Sequence, residues 1–389
     1  MAGVWFHSAL WLGLAFLAAL ISIRVAISVA LIEIVLGAIA GNLIGLTITD
    51  WVNFLAGFGA ILLTFLAGTE IDPRIVRKHF WSSMTIGVVG FVAPYVGVLA
   101  YAHWVISWPW PQAQIAGIAL STTSVAVVYA VMIETGFNRT EIGKIILAAC
   151  FINDLGTVLA LGVVFAHYDY RLLLFGASTA VVLAILVRFA PGMFRYLGTR
   201  VSEPQTKFVA LILLALGGLA STAGSEAVLP AYLVGMTLAP TFLSEPELPH
   251  RMRIIAFSIL TPFYFLKAGS LVEAHAVKTA LGLIVAFLAI KMATKFIGIL
   301  PLTRYHRFER REGMYTTLLM STGLTFGSIS ALFGLTNHII DQTQYTILVT
   351  AVIGSAVVPT LIAQRWFQPV FKAADTEVAE AEAVAGEEP

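Results

Sequence analysis

The stretch LAACFINDLGTVLALG, residues 147–162, is apolar almost throughout, yet it carries a carboxylate, Asp154, with an amide, Asn153, beside it. An aspartate at mid-bilayer costs about 2.5–3.5 kcal/mol on insertion scales, and such residues usually mark ion or proton paths. A carboxylate in a narrow wet cavity holds either a hard cation through oxygen or a proton, not both. Asp154 is thus the candidate position where cation and proton compete, and the candidate metal ligand. Thr122, Thr123 and Ser124, in IAGIALSTTSVAVVYAVMIE, offer hydroxyl and carbonyl oxygens, and Asn153 offers an amide that ligates or fixes geometry. Lys291 and Lys295, in FLAIKMATKFIGILP, are four apart and share one helix face. Two lysines side by side in lipid are costly, so at least one faces a polar cavity. Blander readings stand beside these. They are a protonated aspartic acid bonded to a neighbouring helix, hydroxyls bonded to their own helix backbone, and lysines that snorkel, Lys267 among them. Glu33, in ALIEIVLGAIAGN with Gly37 and Gly41 on its face, reads as a structural carboxylate among packed helices. Glu33, Lys291 and Cys150 are secondary candidates for the ion or proton path.

The elements holding these residues follow from composition. Of 389 residues, 59% are hydrophobic and 12% charged, against roughly 25% charged in soluble domains. Mean hydropathy is +0.89. Charges cluster between long apolar runs, the pattern of a multi-span helical bundle; the alternating ten-residue segments of a barrel are not evident. One cysteine excludes an intramolecular disulfide and a cysteine metal cluster, and a net charge of +1 implies no nucleic-acid partner. The N-terminus, MAGVWFHSALWLGLAFLAALISIR, has no basic n-region and reads as a first span.

Cutting at polar and Pro/Gly breaks gives about thirteen spans, among them 112–133, 144–166, 275–300 and 312–336. With thirteen, eighteen of the 23 Lys and Arg residues fall on one side of the membrane and two on the other, which places the N-terminus outside and the C-terminus in the cytoplasm. Residues 1–372 form the transmembrane domain, and residues 373–389, AADTEVAEAEAVAGEEP, read as a solvated, disordered acidic tail. Thirteen divides into inverted halves, about 1–168 and 206–372, joined by a linker helix at about 170–190. The fifth span of each half carries a polar cluster halfway along: Ser121–Ser124 in one, Ser321, Thr322, Gly323 and Thr325 in the other. Matching clusters in inverted halves predict two crossed, discontinuous helices whose free carbonyls and end dipoles meet an ion.

These residues resemble the monovalent cation:proton antiporter superfamily, particularly its second branch of bacterial sodium/proton antiporters and glutathione-gated potassium efflux proteins. FGAILLTFLAGTEID is similar to that branch's L-F-x-x-G-L-E span, and IEIVLGAIAG to its G-E-x-L-A-G-x-x-x-G segment. Thr123, Ser124 and Glu134 match the crossing-helix pattern, and Pro262, Phe263, Phe265 and Gly269 match P-x-F-F-x-x-x-G. Asp154 falls on the family's transport aspartate and Lys295 on its buried lysine, a likeness covering roughly residues 25–370. There are departures. Electrogenic members have a second aspartate where this chain has Asn153. The first branch has Glu-Ser where this chain has Ala149 and Cys150, and an arginine at Lys295. MSTGLTFGS also lacks the R-G-E element of many second-branch members.

The resemblance implies an all-α polytopic membrane protein that exchanges sodium or lithium for protons by alternating access in a bacterial inner membrane. With Asn153 in place of a second carboxylate, one proton per cation is expected, unless Lys295 itself releases a proton on each cycle. It implies a homodimer in lipid, with no cofactor and no enzymatic activity. Potassium/proton exchange is the close alternative, and a sodium-coupled organic-anion carrier of related fold is a further one. An intramembrane aspartyl protease would need two catalytic aspartates, and Asp154 is the only aspartate within an expected span.

Overall fold

The computed structural model describes residues 2–25, 28–69, 78–135, 137, 140–165, 170–198, 202–223, 227–244 and 247–369. Glu70, Asp72, Arg74, Arg77 and the acidic tail lie outside the described residues, as does the side chain of Glu134. Among the described residues every regular element is helical. In chain order these are α1 (Ala2–Val25), α2 (Val29–Ile44), α3 (Asp50–Thr69), α4 (Phe80–Ala100), α5 (Trp110–Ser121), α6 (Val125–Thr135), α7 (Glu141–Val164), α8 (Tyr170–Leu197) and α9 (Pro204–Thr222). There follow α10 (Val228–Ser244), α11 (Glu247–Ile255), α12 (Thr261–Ser270), α13 (Ala274–Thr279), α14 (Leu281–Tyr305), α15 (Arg310–Met320), α16 (Thr325–Thr336) and α17 (Gln342–Ile362). Single π-helical turns extend α4 through Val105, join α11 to α12 and extend α17 through Phe367.

Among the described residues ten helical stretches are long and apolar enough to cross a membrane, so the chain is a multi-pass helical protein. The expected thirteen is not reached by helices of spanning length. The helices α2 and α10 are apolar but have 16 and 17 residues, and α5 ends after 12, with α6 restarting beyond a break. The polar clusters mark the breaks. Helix stops at Ser121 and resumes at Val125, and stops again at Met320 and resumes at Thr325.

Contacts divide the chain into two units, each drawing on two separate stretches. One comprises residues 1–73 and 158–279, the other residues 74–157 and 280–389. In the first, helices meet backbone to backbone. A Cβ placed on Gly269 of α12 would strike the Ile34 carbonyl of α2, and one on Gly37 would strike the Leu266 carbonyl. Lipid tails are as apolar as leucine, so small residues that permit such approach hold helices together where a hydrophobic drive is missing. Glu33 lies on this face of α2, 3% exposed. Phe65, Leu186, Phe194, Leu213, Val234 and Phe242 fill the space between α3, α8, α9 and α10.

The second unit contains α4, α5, α6, most of α7, and α14 to α17. Reciprocal capping boxes start α15 and α17: Glu309 with Glu312 in one, Asp341 with Gln344 in the other. The buried stripe of α14 reads Ile284, Phe287, Lys291, Lys295, Ile299 and Thr303, so both lysines occupy the face a soluble helix would reserve for its core.

Candidate functional site

An interrupted helix leaves unbonded carbonyls at the end of one half and unbonded N–H groups at the start of the next. In the second unit, buried side chains answer these groups one by one. The Thr123 N–H donates to Asn153 Oδ1 at 2.9 Å, and Asn153 Nδ2 donates to the Ser121 carbonyl at 3.4 Å. A primary amide offers an acceptor and a donor on one planar group, which suits Asn153 to bridge the two sides of the first break. Asn153 is therefore a positioning residue here, with both ends of its amide engaged.

The second break is tied to the first. Thr123 Oγ1 donates to the Met320 carbonyl, the last of α15, at 2.8 Å, and accepts from Lys295 Nζ at 3.0 Å. One hydroxyl thus links a helix end, a break and a buried ammonium. The neighbouring Thr122 hydroxyl donates to Ala119 O at 3.1 Å, and Ser124 Oγ accepts the Val127 N–H at 3.4 Å. The crossing itself is close: a Cβ on Gly327 of α16 would lie 2.9 Å from the Ala119 carbonyl of α5.

Asp154 follows Asn153 on α7 and is 1% exposed; Lys291 and Lys295 are 0% exposed. Neither lysine snorkels. The charges of Asp154 and Lys295 act on one another, whereas Lys291 feels the like charge of Lys295. Lys291 Nζ donates to Ser355 Oγ of α17 at 2.8 Å and packs on Gly323 in the second break. Cys150, one turn before Asp154, points its Sγ at Met320 Sδ, 3.6 Å away. The site residues named from sequence therefore come together in the second unit, with the exception of Glu33, which belongs to the first. Lys267, on α12, also lies in the first unit.

Sequence reading did not single out Ser355 or the Met320 carbonyl. Ser355 had a signal, as a hydroxyl in the apolar run TAVIGSAVVP. A backbone carbonyl has none. Among the described residues no three His, Cys, Asp or Glu side chains converge on one point. The arrangement instead offers one carboxylate beside two helix breaks, with hydroxyl and carbonyl oxygens around them. Chemically, a carboxylate so placed is able to take a monovalent cation or a proton.

The chain is similar to known proteins over most of its length. A family model described as "Sodium/hydrogen exchanger, transmembrane" matches residues 12–368. The chain is 25% identical over 344 residues to a probable Na(+)/H(+) antiporter 3 of Methanocaldococcus jannaschii, covering 83% of this chain and 88% of that one. It is 23% identical over 329 residues to the Na(+)/H(+)-K(+) antiporter GerN of Bacillus cereus, covering 81% and 84% respectively. Among solved structures, the sodium proton antiporter MjNhaP1 of Methanocaldococcus jannaschii has a similar fold, with TM-score 0.70 and 14% identity across 100% of this chain and 98% of that one.

Proposed function

The chain belongs to the family of transmembrane sodium/hydrogen exchangers, and from that premise we propose that it exchanges sodium or lithium for protons, with cation and proton competing for the Asp154 carboxylate. The observation that carries this reading is a buried carboxylate set one residue from the amide that braces a broken helix. Asn153 and Thr123 hold the first break in shape, and Asp154 supplies the charge. A bare carboxylate is costly to carry through the membrane, but one bound to a proton or to a monovalent cation is neutral. Only the two neutral forms pass between the open states of an alternating-access cycle, and that restriction couples the flows. With a single carboxylate at the site the exchange is one for one and electroneutral. Lys295 is tethered to Thr123 at the first break, beside this carboxylate.

Inverted halves at about 1–168 and 206–372 are part of this reading. Each contact unit takes one stretch from either half, which supports it. The distribution of Lys and Arg supports an inner-membrane orientation with the N-terminus outside and the C-terminus in the cytoplasm. A homodimer completes the assembly. Potassium is the second reading for the cation, favoured by the name of the Bacillus cereus relative.

The test is proton movement in proteoliposomes after a pulse of Na⁺, Li⁺ or K⁺. A cation-evoked pH change, absent in Asp154→Asn, establishes exchange at this carboxylate and identifies the cation. Sodium uptake that needs an organic anion and no proton gradient would replace the reading with a sodium-coupled carrier.

A further inference from the structure

The exchange reading uses one break and one lysine, and it leaves Lys291 without a task. This side chain is fully buried, one helical turn from Lys295, and hydrogen-bonded through Nζ to Ser355 Oγ at 2.8 Å. Among the described residues no carboxylate pairs with it, and the charge acting on it is the like charge of Lys295. Burial of an ammonium without an anion is costly unless dipoles replace its hydration. The second break supplies them. There α15 ends, and the aligned carbonyls at a helix C-terminus carry about half an elementary negative charge even where they accept hydrogen bonds. Ser355 Oγ donates its one proton to Val352 O at 2.8 Å, with Gly323 O 3.4 Å away, which leaves a lone pair to accept from Lys291. The place a Cβ would take on Gly323 is occupied by Lys291 Nζ, with Thr122 Oγ1 3.0 Å and Ser355 Oγ 3.2 Å from the same point. Glycine at 323 is what admits the ammonium. The Ser355 hydroxyl bonds Lys291 Nζ directly, and the Thr122 hydroxyl and the backbone at Gly323 lie about the same place, oxygen donors of a kind that suits an alkali cation as well as an ammonium.

We propose that Lys291 is a tethered cation filling a second monovalent-cation site at the Ser321–Leu324 break, so that the wild-type protein takes up one free cation per protomer. Removing the ammonium opens that site to Na⁺ or K⁺. Lys291 thus sets the number of cations bound, a role distinct from the competition at Asp154. The inference rests on the exchange reading only for the first cation.

The test is equilibrium binding of Na⁺ and K⁺, counted per protomer with radioactive tracer on purified full-length protein in detergent, with choline as the salt control. Wild type binds one cation and Lys291→Gln binds two. The double variant Lys291→Gln/Ser355→Ala returns to one. Lys291→Gln/Asp154→Asn also binds one, now at the second break. Thermal melting of Lys291→Gln rises with Na⁺ or K⁺ but not with choline. The inference is overturned if Lys291→Gln binds no more cation than wild type, if removing Ser355 leaves the gained cation in place, or if the variant is misfolded in every salt. A failure of the Asp154 reading looks different: wild-type binding then survives Asp154→Asn, while the gain in Lys291→Gln is unaffected.

Discussion

Thr123→Val removes one oxygen and keeps the side chain's shape, so its cost can be worked out from the bonds that the oxygen makes. Thr123 Oγ1 is the donor to the Met320 carbonyl and the acceptor for Lys295 Nζ, all of them buried. Leaving a buried carbonyl without its donor costs about 1–3 kcal/mol, and a hydrogen bond to a charged group is worth about 1.5–3 kcal/mol. The backbone bond from Thr123 N–H to Asn153 survives, so the two losses together come to about 2.5–6 kcal/mol. Larger chains lose about 2 °C of Tm per kcal/mol, which makes the expected fall roughly 5–12 °C. Thr123→Ser keeps the hydroxyl and loses one methyl, so its fall is on the order of 2 °C. The assay is thermal unfolding in detergent, followed by cation-evoked proton flux in liposomes. Flux falls with Thr123→Val, because Lys295 is released from the first break. A Thr123→Val protein that melts and transports like wild type would refute the claim that this hydroxyl couples the two breaks.

Gly269→Ala drives a Cβ into the Ile34 carbonyl and is expected to lower stability by more than about 2 kcal/mol, whereas Gly57→Ala, with open space around it, is neutral or mildly stabilising in the same melting assay. Asn153→Asp keeps the acceptor for Thr123 but loses the donor to Ser121, and it adds a second carboxylate beside Asp154. An extra charge carried per cycle is worth about 2.3 kcal/mol per 100 mV, so the variant's equilibrium cation gradient follows an imposed membrane potential while that of wild type does not. His306, just past the end of α14, contacts Thr85 Oγ1 at 2.8 Å, and partial burial holds its pKa below the ordinary histidine value. A histidine depressed in the folded state takes up protons more readily when unfolded. Stability is therefore full above about pH 6.5 and declines as pH falls through the folded value. His306→Gln should flatten the fall of Tm on acidification from about pH 7 to 5.

The broken helices were legible because hydroxyl-rich clusters interrupt two otherwise apolar runs, and the helix ends fall within them at Ser121 and Met320. The spanning helices were legible from apolar runs, although α2 and α10, at 16 and 17 residues, are short for spans and the count of thirteen depended on them. Asp154, Asn153 and the lysine pair stood out because charge and amide are expensive in apolar helices. What each of them touches did not. The partner of Lys291 is Ser355, 64 positions away, and that of Thr123 is a backbone carbonyl 197 positions away. Such pairings are fixed by how α5, α7, α14, α15 and α17 pack, and single-helix patterns carry no record of it. The bonds of the Thr123 hydroxyl to the Met320 carbonyl and to Lys295 were equally hidden from the sequence.

Competition at one carboxylate has a direct kinetic signature. In proteoliposomes, the half-saturating concentration of Na⁺ is measured against pH on the cation-loading side, for wild type and Asp154→Asn. Competition predicts that on the acid side of the carboxylate's titration the half-saturating Na⁺ concentration rises about tenfold per pH unit, with the maximal rate unchanged. The Asp154→Asn protein shows no cation-evoked flux. A half-saturating concentration that stays flat with pH while the maximal rate changes would mean that proton and cation bind at different places, and the central claim for Asp154 would fail.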